Sequence, residues 1–184
     1  MDNAKPTLAE RLGKTVHVSA LRFKLADLQQ RYPSASVCCV EAWLLRVANA
    51  RNARIVTPPD GVETGFRPPS PSEFPNEELV AAICHLQNQD TPQLLRLAAQ
   101  LISRGVVDTN RLRQVAERER VGFVLAELAR QALKVDPQHE LWQRILRMFD
   151  LEPPPREPLL HWTRLAIPVM KDGRCNAAEW RLVA

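Results

Sequence analysis

Residues 91–112 read TPQLLRLAAQLISRGVVDTNRL. Thr91-Pro92 is a helix start, a capping side chain followed by proline at the first helical position. Leu94, Leu95, Ala98, Leu101 and Ile102 then recur at helical spacing, so one face of the segment is apolar and needs a partner. Gly105 stands where a left-handed residue can end that helix without steric cost. Asp108 is placed to cap the next one. Two short helices joined tightly, each apolar on one side, predict a helical bundle.

The pattern extends in both directions. Upstream, Asn76 precedes Glu77 and Glu78, an N-cap followed by acids suited to the positive end of a helix, and Leu79, Val80, Ile83 and Leu86 form its apolar face. Downstream, Leu112, Val115 and Ala116 face inward, and Gly122 marks a break between helices. Leu125, Leu128, Ala129, Ala132 and Leu133 continue the stripe. Asp136-Pro137 reads as another start, with Leu141, Trp142, Ile145, Leu146 and Phe149 on the buried side. Residues 76–150 are therefore expected to form a bundle of four or five capped helices. Composition agrees: hydrophobic residues are 45% but aromatics only 5%, so the core rests on Leu, Val, Ile and Ala. Six glycines in 184 residues argue against a turn-rich barrel or sandwich.

Two proline-rich segments divide the remainder. Residues 58–75 read as a linker, because proline lacks the amide donor and disfavours helix in the residue before it. Glu152 to Pro158 reads as a stiff spacer. Residues 1–57 form a basic segment with nine Lys/Arg against four acids, with helices expected over Ala20–Tyr32 and Ser36–Ala50. The second of these is apolar nearly all round, which predicts a place at the centre of the domain. Residues 53–65 offer a short hairpin through Pro59-Asp60-Gly61. At the other end, residues 159–183 offer a C-terminal β-hairpin turning at Asp172-Gly173. That turn sets Leu165 opposite Trp180 and Arg164 opposite Arg181, and Pro168 demands an edge or a bulge. The expected fold class is thus mainly α, with a small C-terminal hairpin and a second hairpin near 53–65.

The run Ala132 to Trp142 resembles the junction between tetratricopeptide repeats, where Asp-Pro opens a helix. The likeness covers about a dozen positions, and no second copy lies one repeat of ~34 residues upstream. A capped, proline-led helix start accounts for the same letters, so no repeat array is expected.

No run approaches the ~20 apolar residues that span a bilayer, and the polar opening lacks the apolar stretch of a secretory signal. A cytoplasmic protein is expected, with no membrane partner. Cys38, Cys39, Cys84 and Cys175 show no Cys-x-x-Cys spacing, so neither metal nor cofactor is expected, and Cys38 and Cys39 read as small buried hydrophobes.

Catalysis by a nucleophile requires a base and an orienting group beside it. Ser34, Ser103 and the cysteines carry no such local signature, and His17, His85, His139 and His161 are scattered. The acid pairs Glu77/Glu78 and Glu117/Glu119 read as salt-bridged solvated surface. The leading expectation is a non-catalytic macromolecular interaction protein with a protein partner: an adaptor, a complex subunit or an antitoxin-like neutralising protein. The alternative is a DNA-binding regulator. Residues 19–65 can be drawn onto a winged-helix outline, with Arg46, Asn49, Arg51, Asn52 and Arg54 offering cations and amides to phosphate at a helix end. A third reading is an enzyme whose site assembles from dispersed residues.

Overall fold

The computed structural model describes residues 19–34, 39–53, 66–85, 92–150, 166–171 and 174–182. Seven helices lie among them: α1 Ala20–Arg31, α2 Val40–Ala50, α3 Asn76–His85, α4 Pro92–Ser103, α5 Thr109–Glu119, α6 Gly122–Val135 and α7 Glu140–Phe149. Strands β1 Ala166–Lys171 and β2 Arg174–Leu182 pair antiparallel, and β2 approaches α6. The protein is mainly helical. None of its described helices is long and apolar enough to cross a membrane.

Local chemistry accounts for most helix ends. Ser19 caps α1, its Oγ accepting from the Arg22 amide at 3.2 Å. Asp108 caps α5, its Oδ1 accepting from the Arg111 amide at 2.7 Å. Gly105, at φ 68°, follows α4 in the left-handed region. Two other ends use a residue other than glycine in that region: an asparagine, which tolerates it, and an arginine, for which it is costly. Asn52 (φ 65°) closes α2, with the Ala53 amide bonded to the Ala48 carbonyl at 3.0 Å; Arg120 (φ 57°) closes α5, with the Val121 amide bonded to Ala116 at 3.0 Å. Both are the six-to-one closure that satisfies orphan carbonyls, and the second separates α5 from α6 just ahead of Gly122.

Three helix starts differ from expectation. Asn76 is the first residue of α3, not its cap. The Pro75 carbonyl accepts the first helical bond, from Leu79, and the Asn76 side chain is engaged elsewhere. The second helix begins at Val40, with Cys39 exposed at its cap position, so Cys39 is not a buried hydrophobe. Asp136-Pro137 forms a turn, and α7 starts three residues later, after His139. The Asp136 Oδ1 there accepts from the Gln138 amide at 3.2 Å, a local bond that competes with helix. The likeness to a repeat junction ends at that turn.

One apolar core runs from Leu21 on α1 to Phe149 on α7. Its centre is α3, which packs on α1, α2, α4 and α5 and buries Leu79 through Cys84 without interruption. The sequence pattern suggested α2 for that place. Instead α2 buries Trp43, Leu44, Val47 and Ala48 and leaves Ala42, Leu45 and Arg46 half-exposed. The small side chains of Ala81 and Ala82 let neighbouring helices approach α3 closely on every side. Its Cys84 thiol is pushed up to about 12 by burial, so it behaves as an inert hydrophobe.

Residues 66–75 are anchored to this core by Pro69, Phe74 and Pro75, which are buried. Phe74 is fully buried, its ring 6.0 Å from that of Trp43. The proline-rich stretch that reads as a linker therefore ends as packed structure. The 54–65 part, where the second hairpin was expected, lies outside the described residues. In the C-terminal hairpin, Lys171, Met170 and Val169 pair with Arg174, Cys175 and Asn176, and then the register jumps so that Pro168 faces Trp180 and Ile167 faces Arg181. Trp180 and Arg181 thus face Pro168 and Ile167; Leu165 and Arg164, expected opposite them, lie outside the described residues. Pro168 has no amide to give the ladder, so the irregularity falls beside it.

The acid pairs are not uniformly solvated. Glu77 and Glu119 are buried, and each carboxylate fastens two elements. Glu77 Oε1 accepts from the Asp108 amide at 2.7 Å, joining α3 to the start of α5. Glu119 Oε2 accepts from Ser19 Oγ at 2.5 Å, and its Oε1 from Arg118 Nε at 2.9 Å. Burial alone would raise the Glu119 pKa. Hydrogen bonds from Ser19, Arg118 and the Leu21 backbone outweigh it and hold the group below its ordinary value.

A carboxyl depressed in this way adds stability that is complete above its unfolded pKa and disappears as pH falls through the folded one. Glu119→Gln is expected to cost about 1–2 kcal/mol at pH 7, the margin of charged over neutral hydrogen bonds. It should also flatten the loss of stability seen in the parent chain below roughly pH 5. Urea unfolding midpoints between pH 3 and 7 check this, and parallel pH profiles for the two chains would count against it.

Candidate functional site

Of the residues that the sequence offers for phosphate contact, Asn49, Arg51 and Asn52 lie together at the end of α2. Arg51 is partly buried. One of its terminal nitrogens donates to Asn76 Oδ1 at 2.8 Å, and the other reaches the carbonyls of Phe74 and, at 3.4 Å, Pro69. Its guanidinium carbon lies 5.6 Å from the centre of the Phe74 ring. Burial lowers its pKa to about 10, with Glu77 acting in the opposite sense, so the group stays charged at neutral pH. Asn52 is the left-handed closing residue, and its carbonyl accepts from Arg104. Arg46 donates to Ser34 Oγ, and Asn49 is half-buried. Arg54 lies outside the described residues. Arg51, Asn49 and Asn52 are thus neighbours at one helix end, while Arg46 is held toward the residues that precede α2.

A cleft of about 470 Å3 opens where the end of α4 meets the start of α7. Ser103, Arg104, Gly105, His139, Glu140, Leu141 and Arg144 line it. Ser103 Oγ accepts from Trp142 Nε1 at 2.9 Å, and the His139 ring stands 6.4 Å from the Trp142 ring. The hydroxyl accepts from the buried indole, and the His139 ring stands beside the same aromatic side chain. Among the described residues, no three His, Cys, Asp or Glu side chains gather to hold a metal ion.

A third surface was not picked out from the sequence. The Ser19–Glu119 hydrogen bond brings the start of α1 against the turn between α5 and α6. Around that bond stand Arg22, Arg118 and Arg120, all exposed. Phe23 lies four residues into the chain from Ser19 and is 69% exposed; Phe123 lies four residues beyond Glu119 and is 37% exposed. Phe23 carried a readable signal. Leu21, Leu25 and Leu28 mark the inward phase of α1, and Phe23 falls out of that phase. The hydrogen bond that brings the Arg118–Arg120 segment to the start of α1, across a hundred residues of chain, had no signal.

Comparison with family models, with curated proteins and with solved structures finds no match to this chain.

The contacts of Arg51 define a structural role with a measurable cost. Arg51→Ala should destabilise the chain by about 2–4 kcal/mol, because buried carbonyls lose their donor and the Phe74 ring loses its cation. Arg51→Lys should recover less than half, since a single ammonium cannot fork to the same acceptors. Chemical denaturation measures both, and a fully stable Arg51→Ala chain would free this residue for a surface role.

Proposed function

We propose that this chain is a macromolecular interaction protein: an adaptor, complex subunit or neutralising partner that works through its surface and not through a reactive cleft. One observation carries the reading. The bundle buries its aliphatic stripes in a single core, yet leaves large apolar side chains, Phe23, Val106 and Phe123 among the described residues, exposed. Phe23 and Phe123 flank the same inter-helix fastening. Exposed rings grouped beside arginines are the composition of a recognition surface, where aromatic and Arg side chains supply most of the binding energy.

The buried polar groups support the same reading. Glu77, Glu119 and Arg51 each join separate elements of the fold, and the cleft at α4 and α7 contributes a hydroxyl already engaged by Trp142. A DNA-binding regulator acting through Arg46, Asn49, Arg51, Asn52 and Arg54 draws less support, because Arg51 and Asn52 have work within the fold.

Native size-exclusion chromatography of the endogenous chain tests the proposal. The chain is expected to elute well above its own 20.8 kDa, in a complex that Phe23→Asp with Val106→Asp disperses while the helical signal stays unchanged. Elution alone at its own mass, in fresh extract at low salt, would remove the reading.

A further inference from the structure

The interaction reading leaves the chemical class of the partner open, and the corner around the Ser19–Glu119 bond narrows it. Arg22 and Arg120 are exposed, with no side-chain partner among the described residues. Arg118 gives its Nε to Glu119 at 2.9 Å and is 52% exposed, so the guanidinium is oriented by one nitrogen while the other two remain for an incoming acceptor. The nearest exposed acid on α5, Glu117, is paired with Arg113 at 2.8 Å. The corner is therefore locally cationic, and its cations are all arginines, which fork to phosphate oxygens and stack on flat rings. Phe23, adjacent to Arg22, is the most exposed large hydrophobic among the described residues, and Phe123 follows one turn after the Arg118–Arg120 segment.

We propose that this corner binds single-stranded nucleic acid, with phosphates on Arg22, Arg118 and Arg120 and unpaired bases stacked on Phe23 and Phe123. The inference rests on the interaction reading and assigns its partner. Free rings interleaved with free guanidinium groups match what a single strand presents, a charged backbone and accessible base faces. As a protein interface the corner would have to be extended by residues outside it, because two rings make a small apolar centre, whereas a single strand needs no more than these five. A duplex hides its base faces and would leave the rings unused. With the arginines on phosphates and the rings on base faces, none of the five is assigned to a base edge, so the binding tolerates sequence.

The test uses the full chain and a fluorescein-labelled 20-nucleotide oligo-dT, followed by anisotropy from 50 to 200 mM salt, with a 20-base-pair duplex as comparator. Binding is expected to favour the single strand and to weaken with salt. Phe23→Ala should weaken it roughly 5- to 150-fold, the range for losing one stacked base, whereas Phe23→Tyr should retain it. Arg22→Gln or Arg120→Gln should each reduce the salt slope by about 0.7 per phosphate contact removed. Unchanged thermal melting of each variant excludes a folding defect. Absence of oligo-dT binding at 50 mM salt overturns the proposal, as does binding that Phe23→Ala leaves intact or that the duplex matches. If oligo-dT fails to bind while the native complex still disperses on Phe23→Asp, the corner docks a protein, so the nucleic-acid assignment falls and the interaction reading stands. Failure of both experiments removes both.

Discussion

The Arg51 guanidinium, seated on the Phe74 ring and bonded to Asn76, is the contact on which the arrangement of the N-terminal helices depends. A charged group is costly to bury unless its donors are satisfied, and here acceptors come from two directions: carbonyls of the 69–74 segment and the side chain that opens α3. Phe74 in turn lies against Trp43, whose Nε1 donates to the Tyr32 carbonyl at 3.0 Å. The end of α1, the middle and end of α2, the segment after the proline run and the start of α3 thereby meet in one knot. None of these contacts is strong alone. Together they hold α2 against α3, and the aliphatic core closes on that joint.

A second set of fastenings uses buried acids. Glu77 joins α3 to α5, and Glu119 joins α5 to α1. Breaking such a bond leaves an unpaired group in a poor solvent for charge, which costs more than the bond itself contributes. These links also shape the surface. The Glu119 bond brings Arg118 and Arg120 beside the first turn of α1, where Arg22 and Phe23 already stand. The grouping of arginines and rings at this corner is a by-product of how the bundle is fastened, and its composition follows from residues that face outward once the inward ones are committed.

Much of the bundle was legible in the letters. The stripes through Leu94–Ile102 and Leu112–Ala116, the cap at Asp108, the stop at Gly105 and the break before Gly122 are local events, determined by side-chain spacing and by backbone preferences within a few residues. The departures at helix starts have two causes. Asn76 and Asp136 look in local terms like a cap and a helix start, but Asp136 is claimed two residues on by the Gln138 amide, and Asn76 by a distant part of the chain. Asn76 faces Arg51 and the Val106 carbonyl, and no window of a dozen residues contains those contacts. Burial of Glu77 and Glu119 escaped for the same reason, because an acid in a charged run looks solvated until its neighbours are known.

The candidate site divides along the same line. Sequence alone determined that the chain is mainly helical and that its core is aliphatic, because helical periodicity is a property of neighbouring residues. Only the tertiary structure decided which arginines are free and which are built in, and which of them share a surface with an exposed ring. Charge and type are carried by each residue, but availability depends on the company that long-range packing assigns to it.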